Sequence, residues 1–238
     1  MSKTTTDPTR RRPEDAPPRT ALLAGASGLI GRALLPLLLH SDRYARVHLL
    51  LRRALRDLPR DRKLTAHQVD FAALPALPAV DDVYIALGTT IKVAGSQAAF
   101  RAVDFDAVVD TASAAHAAGA TRLAIVSALG ADAKSGVFYN QVKGEMQEAV
   151  AKLGYASVVI AQPSLLVGDR EALGQPTRPG EVWATRLLRP VMGLVPASVR
   201  PIEAATVAQA LLREVLAAAP GVTLLSSARM QAIGRPRD

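Results

Sequence analysis

The chain has 238 residues, 49% of them hydrophobic, and a formal net charge of +8. That length supports one substantial α/β domain with a real core and is short for a two-domain dehydrogenase. The absence of cysteine excludes disulfides and thiolate catalysis and fits a cytoplasmic location, the four scattered histidines form no metal-ligand pair, and no apolar run has membrane-spanning length.

Residues 1–19 carry Arg10-Arg11-Arg12, four prolines and no apolar cluster. They bury too little surface to offset the entropy of ordering, so a disordered basic tail is expected. Glu14 and Asp15 follow the arginines where a twin-arginine export signal needs an apolar segment.

Residues 20–238 are expected to form one domain organised around Leu22-Leu23-Ala24-Gly25-Ala26-Ser27-Gly28-Leu29-Ile30-Gly31, a buried strand running into a glycine-spaced turn that opens a helix. Gly25 allows the tight turn, Gly28 lets a phosphate approach the backbone, and Gly31 lets the helix pack on the strand. The helix start then offers N–H groups to a pyrophosphate. The amphipathic run Arg32–His40 and a second strand, Val47–Leu51, complete the unit. That strand ends in Arg52-Arg53, where dinucleotide folds place an acid for a ribose 2′-hydroxyl or an arginine for a 2′-phosphate, so NADP is expected over NAD. The positive charge is local to this region: residues 40–63 hold eight basic and three acidic groups. A cofactor phosphate, rather than nucleic acid, is therefore the expected anion.

Further strands are expected at Leu64–Val69, with Asp70 at its end near the adenine, and at Asp82–Leu87, with Gly88-Thr89-Thr90 at the sheet's carboxyl edge. An alanine-rich helix over Phe100–Ala118 and a strand over Arg122–Ser127 follow. Alternating strands and helices imply a Rossmann-type, doubly wound parallel sheet covered on both faces.

The chemistry is expected between Ser127 and Lys143. Ser127 closes its strand on the ligand edge, and Tyr139-Asn140-Gln141-Val142-Lys143 lies in a helical segment over 138–153. A tyrosine and a lysine four apart share one helix face, and an ammonium beside a phenol stabilises the phenolate. Ser127, Tyr139 and Lys143 thus form a candidate acid/base site, the serine holding a carbonyl or hydroxyl oxygen.

These motifs resemble the atypical branch of the short-chain dehydrogenase/reductase superfamily. Within it, Leu87-Gly88-Thr89-Thr90, Ala94-Gly95, Val103-Asp104, Gln141-Val142-Lys143-Gly144-Glu145 and Arg178-Pro179-Gly180-Glu181 are similar to the Tat-interacting-protein oxidoreductases. The resemblance implies an NADP-binding Rossmann domain with Ser27, Gly28, Leu29 and Ile30 at the pyrophosphate. It implies Arg52 and Arg53 at the 2′-phosphate, Leu87, Gly88 and Thr89 near the ribose, and Leu166 and Arg178 on the cofactor's far side. Tyr139 and Lys143 would be the acid/base and its partner. The family often has a second serine where this chain has Ala128.

A strand over Ala156–Ala161, a Gly- and Pro-rich loop over Asp169–Gly180, helices over Trp183–Met192 and Ala204–Ala218, and a closing strand over Val222–Leu225 complete the chain. Residues 164–238 are expected to supply a small C-terminal substrate lobe, with Trp183–Met192 lining a pocket, forming a homodimer contact or packing as ordinary core. Three function classes share these features: an NADP-dependent oxidoreductase of small carbonyl or alcohol compounds, a nucleotide-sugar epimerase, and an NADPH-binding redox sensor without turnover. Only 75 residues follow Pro163, short for an epimerase's sugar-nucleotide lobe, and an intact Tyr139 and Lys143 weigh against a pure sensor.

Overall fold

The structure, a computed structural model, describes residues 17–167 and 196–234. A parallel sheet is built from β1 (Arg19–Ala24), β2 (Tyr44–Leu51), β3 (Leu64–Gln68), β4 (Asp82–Ile85), β5 (Arg122–Val126), β6 (Ser157–Gln162) and β9 (Gly221–Ser226). Its seven strands run in the order β3-β2-β1-β4-β5-β6-β9. A separate two-stranded ribbon pairs β7 (Leu166–Val167) with β8 (Ile202–Glu203).

The continuous apolar run of β1 follows from burial on both faces: Ala21, Leu22, Leu23 and Ala24 are all fully buried. Ala21 and Leu23 face a core shared with α1 (Leu29–His40) and α6 (Ala204–Ala217). Leu22 and Ala24 face the opposite core, covered by α4 (Ala107–Ala117) and α5 (Phe138–Ala151). In α1 the fully buried Leu34 and Leu38 lie one turn apart, and each contributes about 1.5–3 kcal/mol by leaving water.

Three expectations need correction. β1 begins at Arg19, assigned above to the tail, because its guanidinium pairs with the buried Asp82 on β4. The predicted helix over 100–118 is three pieces, α3 (Gln97–Arg101), a π-helical turn (Ala102–Asp106) and α4, preceded by the short α2 (Ile91–Ala94). Finally, much of 196–234 belongs to the main body rather than to a lobe. Helix α6 buries Val207, Leu211 and Val215 beneath the sheet beside α1, β9 is the sheet's seventh strand, and α7 (Ser227–Ile233) follows it.

On the edge pair β2–β3, His48 Nδ1 lies 2.9 Å from His67 Nε2, so one ring nitrogen donates and the other accepts. Burial, then the neighbouring His67 and Arg46, lowers the His48 pKa below the usual histidine range. The folded state therefore resists a proton that the unfolded chain accepts, and stability is lost as pH falls below about 6.5. The melting temperature should drop between pH 7 and pH 5 more steeply in the wild type than in His48→Gln. Parallel curves would show that this pair has no part in acid sensitivity.

Candidate nucleotide and catalytic site

Strand order reverses between β1 and β4, and the chain leaves β1 at the glycine turn. A crevice at such a reversal is where open α/β sheets hold ligands. Gly25 has φ +95°, and a Cβ there would stand 2.5 Å from the Ala86 backbone, so only glycine lets this turn lie against the exit of β4. A Cβ on Gly31 would stand 2.1 Å from the Gly25 carbonyl, which is how the first turn of α1 packs on the loop. Gly28 differs: a Cβ there would make only ordinary contacts, 3.5 Å from the Gly25 carbonyl and 3.9 Å from the Ala86 carbonyl, so packing within the chain does not by itself demand glycine at this position. No side chain caps α1 and its first turn has no acid, leaving Leu29 and Ile30 at an uncapped, electropositive helix start beside the exposed Ser27.

Arg52 and Arg53 are both exposed just beyond β2, and neither forms an ion pair among the described residues. Asp70 sits beyond β3, its carboxylate accepting from Ala72 N at 3.0 Å. Leu87 and Gly88 follow β4, and Thr89 donates its backbone N–H to Asp104 Oδ2 at 2.8 Å. Leu166 lies on β7. Arg178, the predicted loop over 169–180 and the predicted helix over 183–192 lie outside the described residues.

On α5, Tyr139 and Lys143 stand one turn apart. Tyr139 is half-buried with its ring 5.4 Å from that of Phe100, whereas Lys143 is buried, its Nζ 2.7 Å from Asp104 Oδ1 and 3.5 Å from the Val126 carbonyl at the end of β5. Ser127 immediately follows β5 and is 5% exposed, and its hydroxyl accepts a hydrogen bond from Gln147 Nε2 at 2.6 Å. Gln147 in turn accepts from Gln162 at 3.2 Å. The serine hydroxyl keeps its own hydrogen to donate, but its nearest polar contact on α5 is one turn beyond Lys143.

Sequence reasoning missed Asp104 and Gln147 as site residues, and the role of Gly144. Gln147 continues the 139, 143 spacing by four more residues, a signal that was available. A Cβ on Gly144 would stand 2.0 Å from Ala133 N, so glycine lets the loop after β5 lie directly on α5. A groove of about 510 Å³ lies elsewhere, between α1 and the loop after β2, lined by Arg32, Leu35, Leu39, Leu55 and Arg56 among others, and none of the predicted site residues lines it. No group of three or more metal-ligating side chains occurs among the described residues. No helix among them is long and apolar enough to cross a membrane.

Comparison with known proteins agrees with this architecture. The NAD(P)H-binding family matches residues 25–165. Protein HTATIP2 of Rattus norvegicus is 32% identical over 229 residues, covering 92% of this chain and 91% of that protein. The mitochondrial protein fmp52 of Emericella nidulans is 32% identical over 186 residues, covering 75% and 78%. Among solved structures, MoeE5 in complex with UDP-glucose and NAD superposes with a TM-score of 0.65 at 18% identity, over 87% of this chain and 75% of that one. The oxidoreductase ylbE from Lactococcus lactis gives 0.60 at 16% identity, over 90% and 96%. Matched by the family across both its glycine turn and its Tyr139–Lys143 helix, and by HTATIP2 over nearly its whole length, the chain belongs to the NAD(P)H-binding Rossmann family that includes the Tat-interacting-protein-like proteins.

Proposed function

We propose that this chain is an NADP(H)-dependent oxidoreductase of the short-chain dehydrogenase/reductase type, acting on a small carbonyl or alcohol compound. The observation that carries this reading is Lys143. A buried ammonium, one helical turn from Tyr139, stands at the sheet's carboxyl edge, 3.5 Å from the Val126 carbonyl that ends β5. The residues present fit a dinucleotide: the uncapped start of α1 at Gly28, beside the exposed Ser27, suits a pyrophosphate, and Arg52 and Arg53 suit a 2′-phosphate. Asp70 would lie on the adenine side and Leu87, Gly88 and Thr89 on the ribose side, with Leu166 and Arg178 completing the far wall by similarity.

When bound, the nicotinamide cofactor supplies or accepts the hydride. Tyr139 moves the accompanying proton at the substrate oxygen, and Lys143 stabilises the phenolate left behind. Ser127 donates its remaining hydrogen to that same oxygen. We place the enzyme in the cytoplasm, because it lacks cysteine; since the fungal relatives are named as mitochondrial, a fluorescent fusion that entered mitochondria would reject this location. Its partner is the small-molecule substrate, with neither nucleic acid nor membrane, and a homodimer is the assembly to look for by light scattering.

Calorimetry should show NADPH binding more tightly than NADH. Replacing both Arg52 and Arg53 by alanine should weaken NADPH about 10- to 100-fold, the loss of one or two hydrogen bonds to a charged group, and leave NADH nearly unchanged. Equal wild-type affinities for the two cofactors would overturn the assignment.

A further inference from the structure

We propose that the groove between α1 and the residues following β2 is a second binding site, separate from the nucleotide crevice, for a small organic acid with an apolar body. Its origin lies in one connection of the sheet. Parallel neighbours are joined by crossovers that are usually helical, and α1 joins β1 to β2, α2 to α4 join β4 to β5, and α5 joins β5 to β6. Between the parallel strands β2 and β3, residues 52–63 form neither helix nor strand. Leu55 and Leu58 from this stretch pack against the core that α1 shares, so it covers the same face of the sheet. The cover is incomplete. A cavity of about 510 Å³ stands beside α1, in the place of a crossover helix.

The lining divides into apolar and charged parts. Leu35 and Leu39, one turn apart on α1 and each 6% exposed, line it together with the half-buried Leu55. Pro36 adds its ring, at the cost of one ladder hydrogen bond in α1. Arg32, Arg56 and Arg60 also line the groove, all exposed, and none of the three forms an ion pair among the described residues. Asp57 and Asp61 are there too, Asp61 Oδ1 accepting from Lys63 N at 2.8 Å. Three guanidinium groups against two carboxylates leave one positive charge for a ligand to answer.

These features select among ligands. A planar guanidinium binds a carboxylate or sulfonate through paired, charge-assisted hydrogen bonds, while the leucines take an apolar body out of water. One acid group fits, whereas the phosphate chain of a nucleic acid would meet Asp57 and Asp61 as like charges. Size points the same way. From Arg32 to His40 the α1 side of the groove rises about 12 Å, and the volume falls within the roughly 300–1,000 Å³ of small-molecule sites. A stable protein interface takes about 800 Å² from each partner, more than so short a groove offers. None of the residues assigned to the cofactor lines it, so both sites can be filled at once.

The probe is 1-anilinonaphthalene-8-sulfonate, an anionic fused-ring dye whose emission rises in apolar surroundings. Titrated into the full chain, it should bind at one site, with the same affinity whether or not NADPH is present at saturation. Arg56→Glu should weaken the dye at least about ten-fold, the scale of one hydrogen bond between charged groups, and Arg60→Glu should act in the same direction. Both arginines are exposed outside helices and strands, so the melting temperature should hold. Arg46→Glu controls for charge alone. Arg46 is exposed on β2 and, by strand alternation, shares the sheet face of Leu50 rather than that of α1, so its replacement should leave the dye's affinity nearly unchanged. Absence of binding, displacement of the dye by NADPH, wild-type affinity in Arg56→Glu, or an equal loss in Arg46→Glu would each overturn the proposal. The arm without NADPH decides this site even if the cofactor reading fails.

Discussion

Replacing Tyr139 by phenylalanine should cut turnover at least about 100-fold while folding and NADPH binding survive. The variant keeps the ring that lies 5.4 Å from Phe100 and loses only the hydroxyl, so the packing of α5 against α3 is preserved. A loss of that size raises the barrier by about 2.7 kcal/mol, more than the roughly 0.5–1.5 kcal/mol that one hydroxyl hydrogen bond typically contributes to stability, so rate and melting temperature separate the two effects. Lys143→Met should cost more, because it also leaves Asp104 as an unpaired carboxylate beneath the crevice and so lowers stability and cofactor affinity as well as rate. The measurement begins with a screen of small aldehydes, ketones and quinones against NADPH oxidation. If a substrate is found and Tyr139→Phe turns it over at the wild-type rate, Tyr139 is not the acid/base. An NADPH-binding sensor would then be the better account of the site.

How much of this was legible before the structure depends on the range of the interaction. The glycine turn could be read because two of its glycines answer a local demand: a positive φ at Gly25 and a contact six residues back at Gly31. The strands could be read because parallel strands covered on both faces are short apolar runs. Tyr139 and Lys143 share a face through simple helical spacing. Asp104 was hidden because an apolar pattern over 100–118 cannot reveal a π-turn, and because its partners, Thr89 and Lys143, lie 15 and 39 residues away. The helix over 204–217 was misplaced for a related reason. Its apolar face signals burial, but nothing local says whether it is buried under the sheet beside α1 or in a separate lobe.

Arg19 had the same problem, and the network that orders it carries the largest expected effect on stability. At the end of the sheet opposite the crevice, Asp82 is fully buried, and both its oxygens are engaged. Arg19 donates to them at 2.7 and 2.9 Å, the Tyr44 hydroxyl donates at 2.9 Å, and Arg122 approaches to 3.8 Å. Tyr44 also meets the Tyr84 hydroxyl at 2.7 Å, so one carboxylate joins β1, β2, β4 and β5. Asp82→Ala strands two guanidinium groups. Loss of one partner from a fully buried ion pair costs about 3–5 kcal/mol. Here the lower end applies, because the Arg19 and Arg122 side chains keep 19% and 21% of their exposure and can draw in water. About 3 kcal/mol is still a large share of a typical 5–15 kcal/mol total. Asp82→Asn retains one acceptor oxygen and should cost about half as much. Urea unfolding should show a lower midpoint with an unchanged slope in both variants. NADPH affinity should hold, because four or five residues of strand put the network about 15 Å from the crevice. A midpoint shift worth less than about 1 kcal/mol in Asp82→Ala would mean that water replaces the carboxylate at little cost, and that Arg19 is ordered by the β1 ladder alone.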